Sequence, residues 1–293
     1  MLATLAADRE PTGRIRVPRL DIANEIISEI FINLLPPYPE CAPCLGLYSP
    51  LNLTHICRKW RQIALATPRL WRALLLGPTD VWNDLQGVWV DRSGCCPLSI
   101  VVDDGYKEEQ DVYRGGEFLE AILPYRDRCE YVQLVTTNLH LPLILGSWPS
   151  LRHLDLDLSE SDPDGRHHDL GSVPLLRSAA LIRPQSFYYV AAPESLRLSG
   201  DGELITDTLS YFNLPALSRL EVSEELLDPS PISSLRSLIS RSSCKLEHVC
   251  IGGLRSVVDE VYRTAFPSTI FTFTTPTADS VTGASGCVGG FWV

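Results

Sequence analysis

Apolar residues near the start of the chain recur at helical spacing. Ile22, Ile26, Ile27, Ile30, Phe31 and Leu34 fall on one stripe, which predicts an amphipathic helix with Asp21 as N-cap, ended by Pro36 and Pro37. The segment PPYPECAPCLGLYSP cannot continue it, since each of its five prolines lacks an amide donor and crowds the preceding turn. Ser49 then offers a cap with Pro50 at the first helical position. Leu53, Ile56, Cys57, Trp60, Ile63 and Ala64 keep a 3.6-residue period, which predicts a second helix. Thr67 and Pro68 repeat the cap and proline for a short third helix through Leu70 and Trp71. Phe31, Ile56, Cys57, Trp60 and Ile63 are the expected core that these three helices share.

Beyond Leu76 the period changes. Short apolar triplets of the form L-x-x-L-x-L recur as Tyr131-Leu134-Thr136, Leu151-Leu154-Leu156, Leu176-Ala179-Leu181, Pro193-Leu196-Leu198, Leu217-Leu220-Val222 and Leu246-Val249-Ile251. A short strand that points alternate residues inward needs this pattern. The central positions are 20, 25, 17, 24 and 29 residues apart, close to the repeat length of leucine-rich solenoids, roughly 20 to 29 residues. Stretches such as Ile232–Arg241 and Val257–Phe266 read as helices between strands. The expected fold is α/β: a three-helix unit over residues 20–76, then an irregular leucine-rich-repeat solenoid over residues 77–275. Residues 1–19 lack an apolar period and read as a flexible lead-in. Residues 276–293, rich in Gly, Ser and Thr, read as a disordered tail.

Charge narrows the partners. Lys and Arg number 25 against 36 Asp and Glu, for a net charge of −11. That sign argues against nucleic acid, because phosphate-backbone binders carry excess positive charge. The imbalance is uneven: residues 1–75 hold nine basic and six acidic side chains, residues 76–293 hold 16 and 30. The two ends are therefore expected to meet different partners, the acidic part a locally basic one. No apolar run approaches the 18 or so residues of a membrane helix. Asp8 and Arg9 interrupt any secretory signal core, and the last four residues hold no cysteine to prenylate, so no membrane partner is expected. Nine scattered cysteines, an odd count, fit a reducing intracellular setting, cytoplasm or nucleus.

The motif Ile56-Cys57-Arg58-Lys59-Trp60-Arg61-Gln62-Ile63-Ala64, followed by Thr67-Pro68-Arg69-Leu70-Trp71, is similar in order and spacing to the C-R-x-W-R-x-I-A … T-P-R-L-W signature of the F-box. Glu25-Ile26-Ile27-Ser28-Glu29-Ile30-Phe31 resembles that family's first helix, in the form seen in large fungal families. The family usually opens the helix with Leu-Pro-x-Glu, where this chain has Ile22-Ala23-Asn24-Glu25. Segments Arg92–Ile100 and Ser240–Leu246 also resemble fungal F-box proteins with degenerate leucine-rich repeats. The resemblance implies a three-helix F-box followed by a repeat solenoid. It implies that the F-box docks the Skp-type linker, and through it the cullin, of a ubiquitin ligase. Leu20, Ile22, Ala23, Glu25, Ile26, Ile30, Leu53, Pro68, Leu70 and Trp71 would meet the linker. The solenoid would select a protein substrate, whose identity the sequence does not encode, and the chain itself would do no chemistry. The alternative, motivated by Ala23 in place of proline, is a leucine-rich-repeat scaffold unattached to a ligase.

Other constellations read as structural. Cys41-x-x-Cys44 with His55 and Cys57 has zinc-ligand types, but His55 and Cys57 lie two apart on a helix and diverge. Glu160-x-Asp162-x-Asp164-Gly165 starts like a calcium loop, yet its twelfth position is Gly171 where a bidentate Glu is needed. His167, His168 and Asp169 could serve a hydrolase, but no Gly-x-Ser-x-Gly or His-Glu-x-x-His motif accompanies them. No catalytic residue, cofactor or metal is expected.

Overall fold

The structure is a computed structural model that describes residues 22–43, 46–76, 82–103, 119–136, 141–144, 146–158, 168–169, 173–182, 188–189, 193–200 and 208–274. Leu20, Asp21, Cys44, the segment 159–167, the lead-in 1–19 and the tail 276–293 lie outside these.

Helix α1, Asn24–Leu34, starts at Ala23, whose carbonyl accepts from the Ile27 amide at 3.2 Å and whose side chain caps nothing. The N-cap is therefore Ala23 and not the expected Asp21. The expected single stripe is two rows. Ile27 and Phe31 are buried, whereas Ile22, Ile26, Ile30 and Leu34 face outward, because adjacent helical residues diverge by about 100°. The second expected helix is also divided, into α2 (Pro50–Ile56) and α3 (Arg58–Leu65). Cys57 causes the break: its extended backbone ends α2, and its sulfur accepts from the Trp60 amide at 3.4 Å, capping α3. In consequence Ile56 is 59% exposed and Cys57 is exposed, so neither is a core residue. Phe31 and Ile63 are buried, and Trp60 is half-buried with its ring 4.8 Å from that of Phe31. The third helix is a single 3-10 turn, Pro68–Trp71, that leads almost directly into β1 (Ala73–Leu76).

Among the described residues, nine strands form one all-parallel sheet in chain order: β1, β2 (Leu98–Asp103), β3 (Cys129–Thr136), β4 (His153–Leu158), β6 (Ser178–Ile182), β8 (Ser195–Ser199), β9 (Arg219–Ser223), β10 (His248–Gly252) and β11 (Ile270–Phe273). Two-residue strands β5 (His168–Asp169) and β7 (Tyr188–Tyr189) pair with each other. Parallel neighbours cannot be joined by a tight hairpin. Each strand is thus reached by a crossover, such as the one holding α4, Trp82–Arg92.

Two inward ladders hold the sheet. Leu74, Ile100, Val132, Leu154, Ala179, Leu196, Leu220, Val249 and Phe271 lie side by side, and Leu76, Val102, Leu134, Leu156, Leu181, Leu198, Val222 and Ile251 form the next row. All are buried, each leucine contributing roughly 1.5–3 kcal/mol. The triplets from Leu151 onward coincide with these strands. In β3 the register differs by two residues: Val132, not Leu134, lies opposite Leu154, and Cys129 takes the first buried position. A two-residue offset keeps every side chain on its face, so alternation alone cannot detect it.

These findings correct the expected architecture. Instead of a self-contained three-helix F-box followed by an irregular leucine-rich-repeat solenoid, the chain forms one α/β unit around a nine-stranded parallel sheet. The physical reason lies at Leu70–Leu76. Trp71 packs edge-on against Trp89 of α4 with ring centroids 5.2 Å apart, and buried residues from Ile27 to Phe271 belong to a single core. Helices α1–α3 share that core with the strands.

Candidate interaction surfaces

The alternation that buries one face of the sheet places polar groups on the other. Across β3, β4 and β6 runs an aromatic ladder. Tyr38, from the loop after α1, donates its hydroxyl to Glu130 at 3.0 Å and lies under the Arg72 guanidinium, 3.8 Å from its ring centroid. Its ring meets that of Tyr131 edge-on at 5.3 Å, and Tyr131 stacks on His153 at 4.5 Å with a 9° interplanar angle. His153 Nδ1 lies 2.6 Å from Ser178 Oγ. Burial, then the Arg177 and Arg152 charges, lower the His153 pKa to about 4, so its imidazole is neutral near pH 7. Burial and the adjacent Glu130 raise the Tyr38 pKa.

Further along, Arg197 pairs with Glu221 at 2.6 Å, and Arg152 with Glu130 at 2.8 Å. A depression of about 580 Å³ spans this face, lined by residues from Tyr131 to Thr272 and including Arg177, Glu194, Arg219 and Glu247. Both charge signs line it, and among its lining residues only Leu220 and Val249 are buried. Its lining is mainly polar and charged.

Asp155 sits in the same outward row, facing Ala180 on β6. Its Oδ1 is buried without a hydrogen-bond partner. Burial, then Asp157, raise its pKa to about 6, with Arg197 opposing. A raised carboxyl pKa means that the folded state favours the protonated form. The resulting stability is present below pH 4 and is lost as pH rises through 6. Asp155→Asn should therefore raise stability by about 2 kcal/mol at pH 7.5 and leave it unchanged at pH 4. Urea denaturation at the two pH values tests this; equal effects at both would refute the titration.

A second surface is apolar. On α1, Ile26 is 56%, Ile30 46% and Leu34 50% exposed, continuing the row from Ile22. Ala23 and Glu25 are exposed on the same helix, and Pro68 is exposed at the 3-10 turn. By contrast Leu53, Leu70 and Trp71 are buried. Packed in the core, they present almost no surface to a partner, in contrast to their expected role as contacts. The sequence reading set all six apolar residues on one stripe, with Ile22, Ile26 and Ile30 expected as linker contacts and Phe31 as core; the one-residue phase difference between Ile26 and Ile27 is the signal that divides that stripe into two rows.

Cys41 and Cys57 have structural roles. The Cys41 thiol donates to the Leu74 carbonyl at 3.1 Å, and burial pushes its pKa up to about 12. Cys57 caps α3. Of the candidate hydrolase loop only the backbone of His168 and Asp169, in β5, is described. No helix among the described residues is long and apolar enough to cross a membrane. Comparison with protein families, with characterised proteins and with solved structures finds no match to this chain.

Proposed function

We propose that this chain is a substrate-recognition adapter of a Skp, cullin and F-box ubiquitin ligase, with α1 as its docking helix for the Skp-type linker and the polar sheet face as its surface for the target protein. One observation carries the reading: α1 presents an outward row of Ile22, Ile26, Ile30 and Leu34 while a different row, Ile27 and Phe31, holds it to the core. A helix that already has a buried face gains nothing within the chain from a second apolar one. Exposed apolar rows of this kind fit a partner's groove through anchors at i, i+4 and i+8. The resemblance of residues 20–76 to the F-box names the partner class.

Deleting residues 20–76 would be a poor test, because Leu70, Trp71, Leu74 and Leu76 belong to the common core. The double variant Ile26→Asp, Ile30→Asp leaves that core intact. It should reduce capture of recombinant Skp-type linker and cullin by at least about ten-fold, since two buried charges at an interface each cost more than the 1.4 kcal/mol of one decade, with its melting midpoint unchanged. Wild-type capture by the double variant would refute docking through α1. Failure of the unaltered chain to bind any Skp-type linker would overturn the adapter reading.

A further inference from the structure

We infer that the docking face of α1 takes a partner groove rimmed with carboxylates, Arg58 and Lys59 of α3 meeting that rim. The inference rests on the adapter reading and adds the chemistry of the partner. Position comes first: the Lys59 ammonium donates to the Ile22 carbonyl at 3.2 Å, which places a cation at the start of the apolar row, and Arg58 is exposed beside it. Arg69 adds another cation along α1, in an exposed pair with Glu29 at 3.1 Å.

Location within α3 gives an independent argument. Arg58 and Lys59 are the first two residues of that helix, where the unpaired amides and the macrodipole favour carboxylates and disfavour cations. Intramolecular forces alone would put Asp or Glu there. The neighbouring cations are otherwise engaged: Arg61 Nε donates to the Thr54 carbonyl at 2.6 Å and Arg72 lies over Tyr38. The carboxylates on α1 are Glu25 and Glu29, the latter paired with Arg69. Across residues 22–76 five Lys and Arg face three Glu, within a chain whose net charge is −11. A basic fringe around an apolar row is complementary to an acidic rim around an apolar groove. Such rim charges act mainly on the association rate and are screened by salt.

The experiment follows association of the full chain with purified Skp-type linker by stopped flow at 50 and 300 mM NaCl. The wild-type association rate should fall at least five-fold between the two. In Arg58→Glu, Lys59→Glu the low-salt rate should drop about ten-fold and the salt dependence flatten, with the dissociation rate little changed. Lys59→Arg should behave as wild type. Glutamates suit the start of a helix, so the melting midpoint of the double variant should hold or rise, which separates loss of docking from loss of fold. Binding that ignores both salt and charge reversal would overturn the inference and leave the adapter reading standing. No binding of the linker by the wild-type chain would remove both.

Discussion

Trp71→Ala is expected to destabilise the whole chain by about 3–5 kcal/mol, the range for removing a buried tryptophan. The ring is 0% exposed. It packs edge-on against Trp89 at 5.2 Å, and the Arg92 guanidinium sits 4.6 Å from its centroid. The indole Nε1 donates to the Ala64 carbonyl at 2.9 Å, tying the 3-10 turn to the end of α3. Truncation removes the apolar filling and one of the donors to that carbonyl, which keeps the Thr67 amide at 3.2 Å. Stabilities are typically about 5–15 kcal/mol, so this one change would consume a large share of the total. Urea denaturation followed by circular dichroism should show a single transition at lower midpoint, affecting helix and strand signals together. A loss below about 1 kcal/mol would place the ring at the surface. Two separate transitions would mean that α1–α3 fold apart from the sheet. The buried ring has a second consequence: any effect of Trp71→Ala on linker capture would be a folding effect, so the proposed docking has to be tested at exposed residues such as Ile26 and Ile30.

How far the fold was legible follows from the period of each segment. Strands β4, β6, β8, β9 and β10 could be found in the sequence because their inward residues alternate under a buried ladder, and period 2 in Leu154-Leu156 or Val249-Ile251 has no helical reading. β1 was hidden, since Ala73–Leu76 is a continuous apolar run that looks like the end of a helix. The run at β11, Ile270–Phe273, abuts the polar tail and was read as part of no strand. The break at Cys57 was hidden for a different reason. A cysteine at a helical-period position reads as core, and its use as an N-cap appears only in the 3.4 Å contact to the Trp60 amide.

The polar face was not legible at all. Tyr38 and Glu130 are 92 residues apart, and His153 and Ser178 are 25 apart. Only the strand register brings them together, and that register is a property of the sheet. The exposed apolar row of Ile22, Ile26, Ile30 and Leu34 was half legible. All of its residues were picked out by their spacing, while the division into inward and outward sets depends on which side of α1 meets α3 and the 3-10 turn.

Glu224→Ala should cost about 3 kcal/mol, and the reason is a carboxylate that organises a turn. Glu224 is 1% exposed, in the 3-10 turn Glu224–Leu227 that follows β9. Its Oε1 accepts three hydrogen bonds: from the Ser256 amide at 2.6 Å, the Ser256 hydroxyl at 2.7 Å and the Val257 amide at 2.9 Å. The adjacent Glu225 accepts from the Leu254 amide at 2.7 Å. Gly253, at φ +83°, has no Cβ where one would collide with the Glu225 carboxylate. Two consecutive acidic side chains therefore hold the turn after β10 from the turn after β9, and so fix the start of the next helix, Asp259–Ala265, whose Tyr262 is buried against Phe271. Bonds to a charged acceptor contribute about 1.5–3 kcal/mol, and an amide stripped of its acceptor keeps most of its desolvation penalty unless water reaches it. Ser256 is exposed, so water recovers part of its loss. Glu224→Gln keeps an acceptor oxygen for the same donors and should lose roughly half as much as alanine. Hydrogen exchange locates the effect: in Glu224→Ala the amides of Ser256 and Val257 should exchange faster by about two orders of magnitude, while those of β3 and β4 change only with global stability. Unchanged protection at Ser256 and Val257 would mean that the turn holds its shape without the carboxylate.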